Sequence, residues 1–423
     1  MKHKKFTLPN GVRVIYVPTK GNPSATVVVG TEVGSKYETK AQSGLSHFLE
    51  HMLFKGTPKR PTSKIINEEL DSLGAVSNAM TNEEGTVYYA KAEKKHWKKI
   101  LDVLSDMYLH PKFPKEDLEK ERGVILQEIS MYEDQPQDKV SVLFQSLLYG
   151  DTPVGRWIAG TKESVSKLKH QDFLDYHKKH YTSQNTFIVI AGDIKEAELK
   201  SEVTKLFGKM PKGAKSKKDK VVEAQTKPKV LVLNKKTDQS HMVLGFRTFK
   251  SSDKRQAVLA VLSTILGRGM SSRLWHKLRE ELGACYYVYA HTNNFTDHGY
   301  FAISTGIEAK RVEEIIKVLL SECKKLTQDL VGDEELKKAK DYMVGHLYLG
   351  HETTSSLAML CVSQEVQDKG KLKNLEDMER EIRAVKAQDL KKMAQTIFKK
   401  ESLNVALVGD VNDSSRLEKL LVI

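Results

Sequence analysis

The chain has 423 residues, 39% of them hydrophobic and 29% charged, which is enough apolar material for packed cores and excludes wholesale disorder. That length exceeds what one core organises, so more than one domain is expected. The net charge of +13 is spread over helices that mix Lys with Glu, and the densest basic run, residues 209–229, has no aromatic side chain on which bases could stack, which argues against a nucleic-acid-binding protein. No apolar run approaches the ~18–20 residues of a membrane-crossing helix, and no apolar stretch follows the basic start, so neither a membrane span nor a signal peptide is expected. Three scattered cysteines, Cys285, Cys323 and Cys361, fit a reducing, cytoplasmic setting.

In chain order, Leu8-Pro9-Asn10-Gly11-Val12 places Asn-Gly between two apolar runs and predicts a hairpin. Residues 25–29 and 87–90 read as strands, 96–110 as an amphipathic helix, and a longer helical pattern opens at Lys115. Residues 187–194 form an apolar run closed by Gly-Asp. Residues 209–229 combine lysines with Pro211, Gly213, Ser216 and Pro228, the composition of a solvated linker. Beyond it the order recurs. Residues 230–233 and 300–304 are strand-like, 311–327 form an amphipathic helix, a second long helix opens at Asp333, and 404–411 repeat the run closed by Gly-Asp. Strands followed by helices, twice, predict two homologous α+β domains, 1–208 and 230–423, joined by a flexible basic linker over 209–229. Each would be a mostly antiparallel sheet covered by helices.

The chemistry concentrates in Gly44-Leu45-Ser46-His47-Phe48-Leu49-Glu50-His51-Met52-Leu53-Phe54. As a helix, this places Leu45, Phe48, Leu49, Met52 and Leu53 on one arc and His47, Glu50 and His51 on the opposite one. Histidines four apart bring two imidazoles to one point, the spacing a zinc site uses. A carboxylate at Glu50 can take a proton from a metal-activated water. Three fixed positions also suit an ordinary polar helix face, and zinc with one open position needs a third protein ligand. A second histidine pair, His177 and His180, lies among lysines and is expected at the surface, and Cys285 is expected to be structural.

The HxxEH segment resembles the inverted zinc-binding motif of the pitrilysin and mitochondrial-processing-peptidase family, the inverzincins. In that family the third ligand is a Glu on a later helix after 76 intervening residues, and that spacing from His51 reaches Glu128. Glu121, two helical turns earlier on the same face, suits a hydrogen bond from a ligand histidine that fixes its tautomer, and equally suits a surface partner for a nearby lysine. Residues 8–15 resemble the family's opening hairpin, and 74–81 its substrate-facing edge strand, where an extended peptide adds through backbone bonds; Asn78 and Ala79 are the candidates there. Residues 271–286 resemble the family's Arg/Tyr element, with Arg279 and Tyr286 at its spacing of seven. Laying the helix at Asp333 over that at Lys115 sets His346 opposite Glu128 and Ala339 opposite Glu121, so the second domain is expected to lack metal.

The resemblance implies a zinc-dependent endopeptidase with one Zn2+ per chain on His47, His51 and Glu128. Glu50 would be the general base, with Arg279 and Tyr286 reaching the scissile region as the two domains face each other like a clamshell. The implied substrates are unstructured peptides or presequence-like segments. The chain's length is similar to that of the short bacterial processing-protease branch, whose members pair, and the complete set of site residues in one chain favours a homodimer. The alternative is a non-catalytic member serving as a peptide-binding subunit or scaffold; such relatives usually lose Glu50 or a ligand, and this chain has lost neither.

Overall fold

The structure is a computed structural model and describes residues 3–368, 370–411 and 414–423. The first sheet holds β1 (Lys4–Thr7), β2 (Arg13–Pro18), β3 (Ser24–Thr31), β4 (Val76–Thr81), β5 (Thr86–Glu93) and β6 (Thr186–Gly192) in the order β1-β2-β6-β3-β5-β4. The second holds β7 (Lys229–Asn234), β8 (Ser240–Thr248), β9 (Cys285–Asn294), β10 (Gly299–Ile307) and β11 (Leu403–Gly409) in the order β7-β11-β8-β10-β9. The β2/β6 and β7/β11 pairs are parallel and every other pair is antiparallel. Strand for strand, β7, β11, β8, β10 and β9 repeat β2, β6, β3, β5 and β4. The internal repeat is therefore a repeated α+β sheet topology, with β1 the addition in the first copy.

The predicted hairpin at 8–12 joins β1 to β2, with the Leu8 amide bonded to the Val12 carbonyl at 2.8 Å and Gly11 at φ +103°, a backbone state that costs glycine little. The central strands β3 and β6 are buried almost throughout, as unbroken apolar runs should be when both faces of a sheet are covered. By contrast β4, at the sheet edge, alternates exposed and half-buried residues. One face of the first sheet packs on helix Trp97–Leu109, through Ile100, Leu101, Leu104 and Met107. The other face, with Ile15, Val17, Val28, Val87, Phe187 and Val189, is covered by helix Thr354–Gln367 through Leu357, Ala358, Cys361 and Val362. Each Val, Leu, Ile or Phe among these, fully buried, contributes about 1.5–3 kcal/mol. The same helix brings Glu365, almost fully buried, to Arg13 and Lys5 at 2.6 Å each.

The two compact units do not follow the two halves of the sequence. One comprises residues up to Ile129, Thr152–Asp219 and Gly350–Asn374; the other comprises Ser130–Asp151, Lys220–Leu349 and the rest from Leu375. The strands of each sheet respect the halves, but helix Thr354–Gln367 serves the first sheet and helix Pro136–Tyr149 the second. Helix Pro136–Tyr149 packs on β11, β8 and β7, with the Phe144 ring 5.5 Å from that of Tyr300 and over Gly245, where a Cβ would come within 2.7 Å of it.

Residues 211–227 contain no helix or strand, as the composition predicts, yet they are held to the units rather than lying loose. Ser216 bonds His180 Nδ1 at 2.7 Å and Asn185 on two of its atoms at 2.9 Å, Lys215 pairs with Glu32, and Lys218 reaches the buried Glu84. From residue 220 on the segment bonds the second unit, with the Val221 amide on Asp297 and Gln225 donating to the Leu403 carbonyl. No helix among the described residues is long and apolar enough to cross a membrane.

Candidate metal centre

The motif forms helix Leu45–Met52, with Leu45, Phe48, Leu49 and Met52 fully buried on the predicted apolar arc. Its N-cap is Gly44 at φ +95°, packed so closely that a Cβ would lie 2.7 Å from the Ala159 carbonyl oxygen, and it has no side chain to cap the helix. The buried carboxylate of Glu38 does this instead, accepting from the amides of Gly44 at 2.9 Å and Ser46 at 2.6 Å. Burial pushes the Glu38 carboxyl up to about 7, against the pull of those two amides. The Ser46 hydroxyl also meets the Tyr176 hydroxyl at 2.8 Å, so the start of the helix is tied down on two sides.

On the polar arc, His47 Nε2 lies 3.7 Å from Glu128 Oε1 and His51 Nε2 lies 3.9 Å from Glu128 Oε2. Glu128 comes from helix Lys115–Asp134. Ligand atoms of all three residues lie within 4.8 Å of one another, the one such cluster among the described residues. Burial and the neighbouring His51 push His47 down to about 4, so its imidazole is neutral and able to bind a metal at neutral pH. Burial disfavours a charged His51, but its bond to Glu121 and the nearby carboxylates of Glu50, Glu121 and Glu128 outweigh burial and raise it. Its Nδ1 is 2.8 Å from Glu121 Oε1, and Glu121 also pairs with Lys55 at 2.5 Å. Three carboxylates surround the two imidazoles, Lys55 pairs with Glu121 among them, and a divalent ion would offset the negative charge of the rest. Two His nitrogens and one Glu oxygen converging at this range are a donor set that zinc accepts, so the residues fit the metal.

Glu50 is buried beside this cluster, and the Thr81 hydroxyl donates to its Oε2. Burial raises the Glu50 carboxyl, opposed by the Thr81 bond and His51. Strand β4 presents exposed Val76, Asn78 and Met80 on one side of its pleat. Asn78 Oδ1 accepts from the Ala79 amide at 2.8 Å, so this edge carries a local cap on one of its own donors.

In the second unit, residues 275–281 form a π-helical turn that carries Arg279, a helix type concentrated at functional sites. Arg279 donates to the carbonyls of Cys285 and Tyr286 at 3.0 and 3.2 Å and lies 5.1 Å from the Tyr286 ring centre, and Tyr286 is 71% exposed. The structure thus brings together the metal cluster with Glu50 and Glu121, and separately Arg279 with Tyr286.

The sequence model described as "Insulinase (Peptidase family M16)" matches residues 13–162, and "Peptidase M16 inactive domain" matches 167–343. An uncharacterised zinc protease of Bacillus subtilis, YmxG, is 34% identical over 408 residues, covering 96% of this chain and 98% of its own. The chain belongs to peptidase family M16. An uncharacterised zinc protease of Streptomyces coelicolor is 32% identical over 98% of this chain and 91% of its own. Among solved structures, a protease from Helicobacter pylori superposes with a TM-score of 0.91 at 23% identity over 96% of this chain and 99% of its own. A chain of complex III2 from Candida albicans gives 0.84 at 17% over 99% and 100%. These last two show that the fold they share extends along the whole chain.

In this M16 chain the second long helix, Asp333–Leu349, carries His346 with its Nδ1 2.9 Å from the Tyr342 carbonyl, in contact with the Tyr342 ring, and Ala339 buried. The predicted surface pair is corrected: His180 is buried on Ser216, and His177, half-buried, lies with Nε2 3.0 Å from the Tyr108 carbonyl, desolvation pushing both to about 4. Three residues that support the M16 centre escaped the sequence reading: Glu38, Lys55 and Thr81. Glu38 and Thr81 act across loops and strands and carry no periodic signal. Lys55 does have one, four residues after His51 on the face that meets Glu121.

Proposed function

We propose that this protein is a zinc-dependent endopeptidase that cleaves unstructured peptides or presequence-like segments. The observation that carries the reading is the convergence of His47, His51 and Glu128 with the carboxylate of Glu50 beside them. His47 and His51 through Nε2, and Glu128 through its carboxylate, would hold one zinc per chain. When bound, zinc supplies Lewis acidity to the attacking water and the scissile carbonyl. Glu121 holds His51 by Nδ1 and so fixes which nitrogen is left for the metal. Glu50 takes the proton from the water as its oxygen bonds to the carbonyl carbon, and passes that proton to the amine nitrogen as the C–N bond breaks. Strand β4, with Asn78 and Ala79, offers an edge on which an extended peptide can lie, which reads backbone rather than side chains and so tolerates varied sequences. Arg279 and Tyr286 supply a guanidinium and a phenol as donors to the substrate backbone.

The relatives' description as zinc proteases supports zinc and peptide hydrolysis. Three free, buried cysteines support a reducing, cytoplasmic setting, and we further propose a homodimer. The deciding experiment is cleavage of a quenched-fluorescent library of unstructured peptides with zinc, with chelator, and by Glu50→Gln. Chelator-sensitive cleavage, lost in Glu50→Gln while zinc is still bound, is the expected result. Silence from zinc-loaded protein would overturn the reading in favour of a peptide-binding scaffold.

A further inference from the structure

Resting on the reading of Glu50 as the general base, we propose that Thr81 is its positioning residue, so that the strand offering its edge to peptide also sets the aim of the base. Thr81 ends β4, paired with Thr86 of β5, and shares the inner side of the pleat with Ser77 and Ala79. The motif helix lies against this strand. Two acceptors lie near the Thr81 hydroxyl, Glu50 Oε2 in short contact and Thr86 Oγ1 at 3.4 Å. Thr86 is buried and donates its own proton to the Val33 carbonyl at 2.9 Å, which anchors it and leaves it a distant acceptor. A hydroxyl has one proton to give, and the geometry directs that of Thr81 to Glu50. The carboxylate is thereby held through Oε2, while no hydrogen bond holds Oε1 among the described residues; Oε1 is the oxygen left for the water. The consequence reaches the substrate. A peptide paired along β4 is in register with Thr81, and Thr81 is bonded to the base, so one rigid strand fixes both the peptide and the group that drives attack on it.

Thr81→Val keeps the branched shape suited to a strand and removes only the donor. The expected result is a kcat lower by about 10–100-fold, the scale set by misaiming a reacting group by about 1 Å, with KM within about twofold of wild type. Zinc affinity, measured by competition with a chromophoric chelator, should stay unchanged because Thr81 bonds none of the three metal-binding residues. Thr81→Ser, which restores the hydroxyl, should recover most of the kcat. Three outcomes overturn the proposal: full kcat in Thr81→Val, a loss carried by KM instead, or no recovery in Thr81→Ser, which would mean that packing and not the donor matters. If wild-type protein shows no chelator-sensitive cleavage, the peptidase reading fails and this proposal falls with it.

Discussion

Replacing Glu38 by Gln tests whether a buried carboxylate caps the motif helix. Glu38 is enclosed, accepts from two backbone amides, and is pushed from an ordinary 4.5 up to about 7 by burial. Between those values the folded state keeps a proton that the unfolded state has released, so the Glu38 contribution to stability is fully present below pH 4.5 and declines as pH rises to 7. At about 1.4 kcal/mol per pH unit, the decline between pH 5 and pH 8 comes to about 2.5 kcal/mol. Glutamine cannot ionise, so the variant lacks this slope. It also turns an NH2 toward one of two amide donors, which leaves a buried donor unsatisfied at a cost of about 1–3 kcal/mol. Denaturant melts of chelator-treated wild type and Glu38→Gln, compared at pH 5, 6, 7 and 8, isolate the effect, because other titrating groups cancel in the difference. The wild-type advantage should shrink by about 2.5 kcal/mol across the series, equivalent to about 5–10 °C in Tm at 2–4 °C per kcal/mol. An advantage constant to within about 0.5 kcal/mol from pH 5 to 8 would refute the assignment.

Glu121→Ala should lower zinc affinity by about 10–100-fold, because His51 loses the partner that fixes its ring, and chelator competition against Glu121→Gln, which keeps an acceptor, should show the amide recovering part of the loss. Unchanged affinity in the alanine variant would leave Glu121 as a partner of Lys55 alone. Phe144→Ala, on the helix that seals the second sheet, should cost about 3–5 kcal/mol, since its buried ring contacts Tyr300 and closes over Gly245. Urea melts that move by less than about 1 kcal/mol would show that the site collapses around the missing ring.

The parts that sequence made legible are those with period or spacing. Alternation and apolar runs marked the strands, the Asn-Gly turn marked the hairpin, and the repeated Gly-Asp closures marked β6 and β11 as counterparts. Helical period placed His47, Glu50 and His51 on one arc, and the family's spacing pointed to Glu128, which the fold brings to the two histidines. Burial was less legible. The arc opposite Leu45 and Phe48 reads as a solvent face, yet Glu50 is buried there, and β4 supplies it with the Thr81 hydroxyl that no local pattern announces. His180 misled for the same reason: lysines flank it in sequence, while its ring turns inward to Ser216. Nor could periodicity show that helices Pro136–Tyr149 and Thr354–Gln367 serve the sheet of the other half, since an amphipathic stripe says that a face is covered and not by what.

That exchange of helices sets a timetable for synthesis. The last strand of the first sheet, β6, ends at Gly192, but the helix that covers one face of its central strands ends at Gln367. At about 5–20 residues per second, the roughly 175 residues between them take about 9–35 s to make, during which Ile15, Val17, Val28, Phe187 and Val189 have no native cover. A nascent chain halted before residue 354 would carry His47, His51 and Glu128 on a half-dressed sheet. The first half of the sequence therefore waits on residues 354–367 to complete its core.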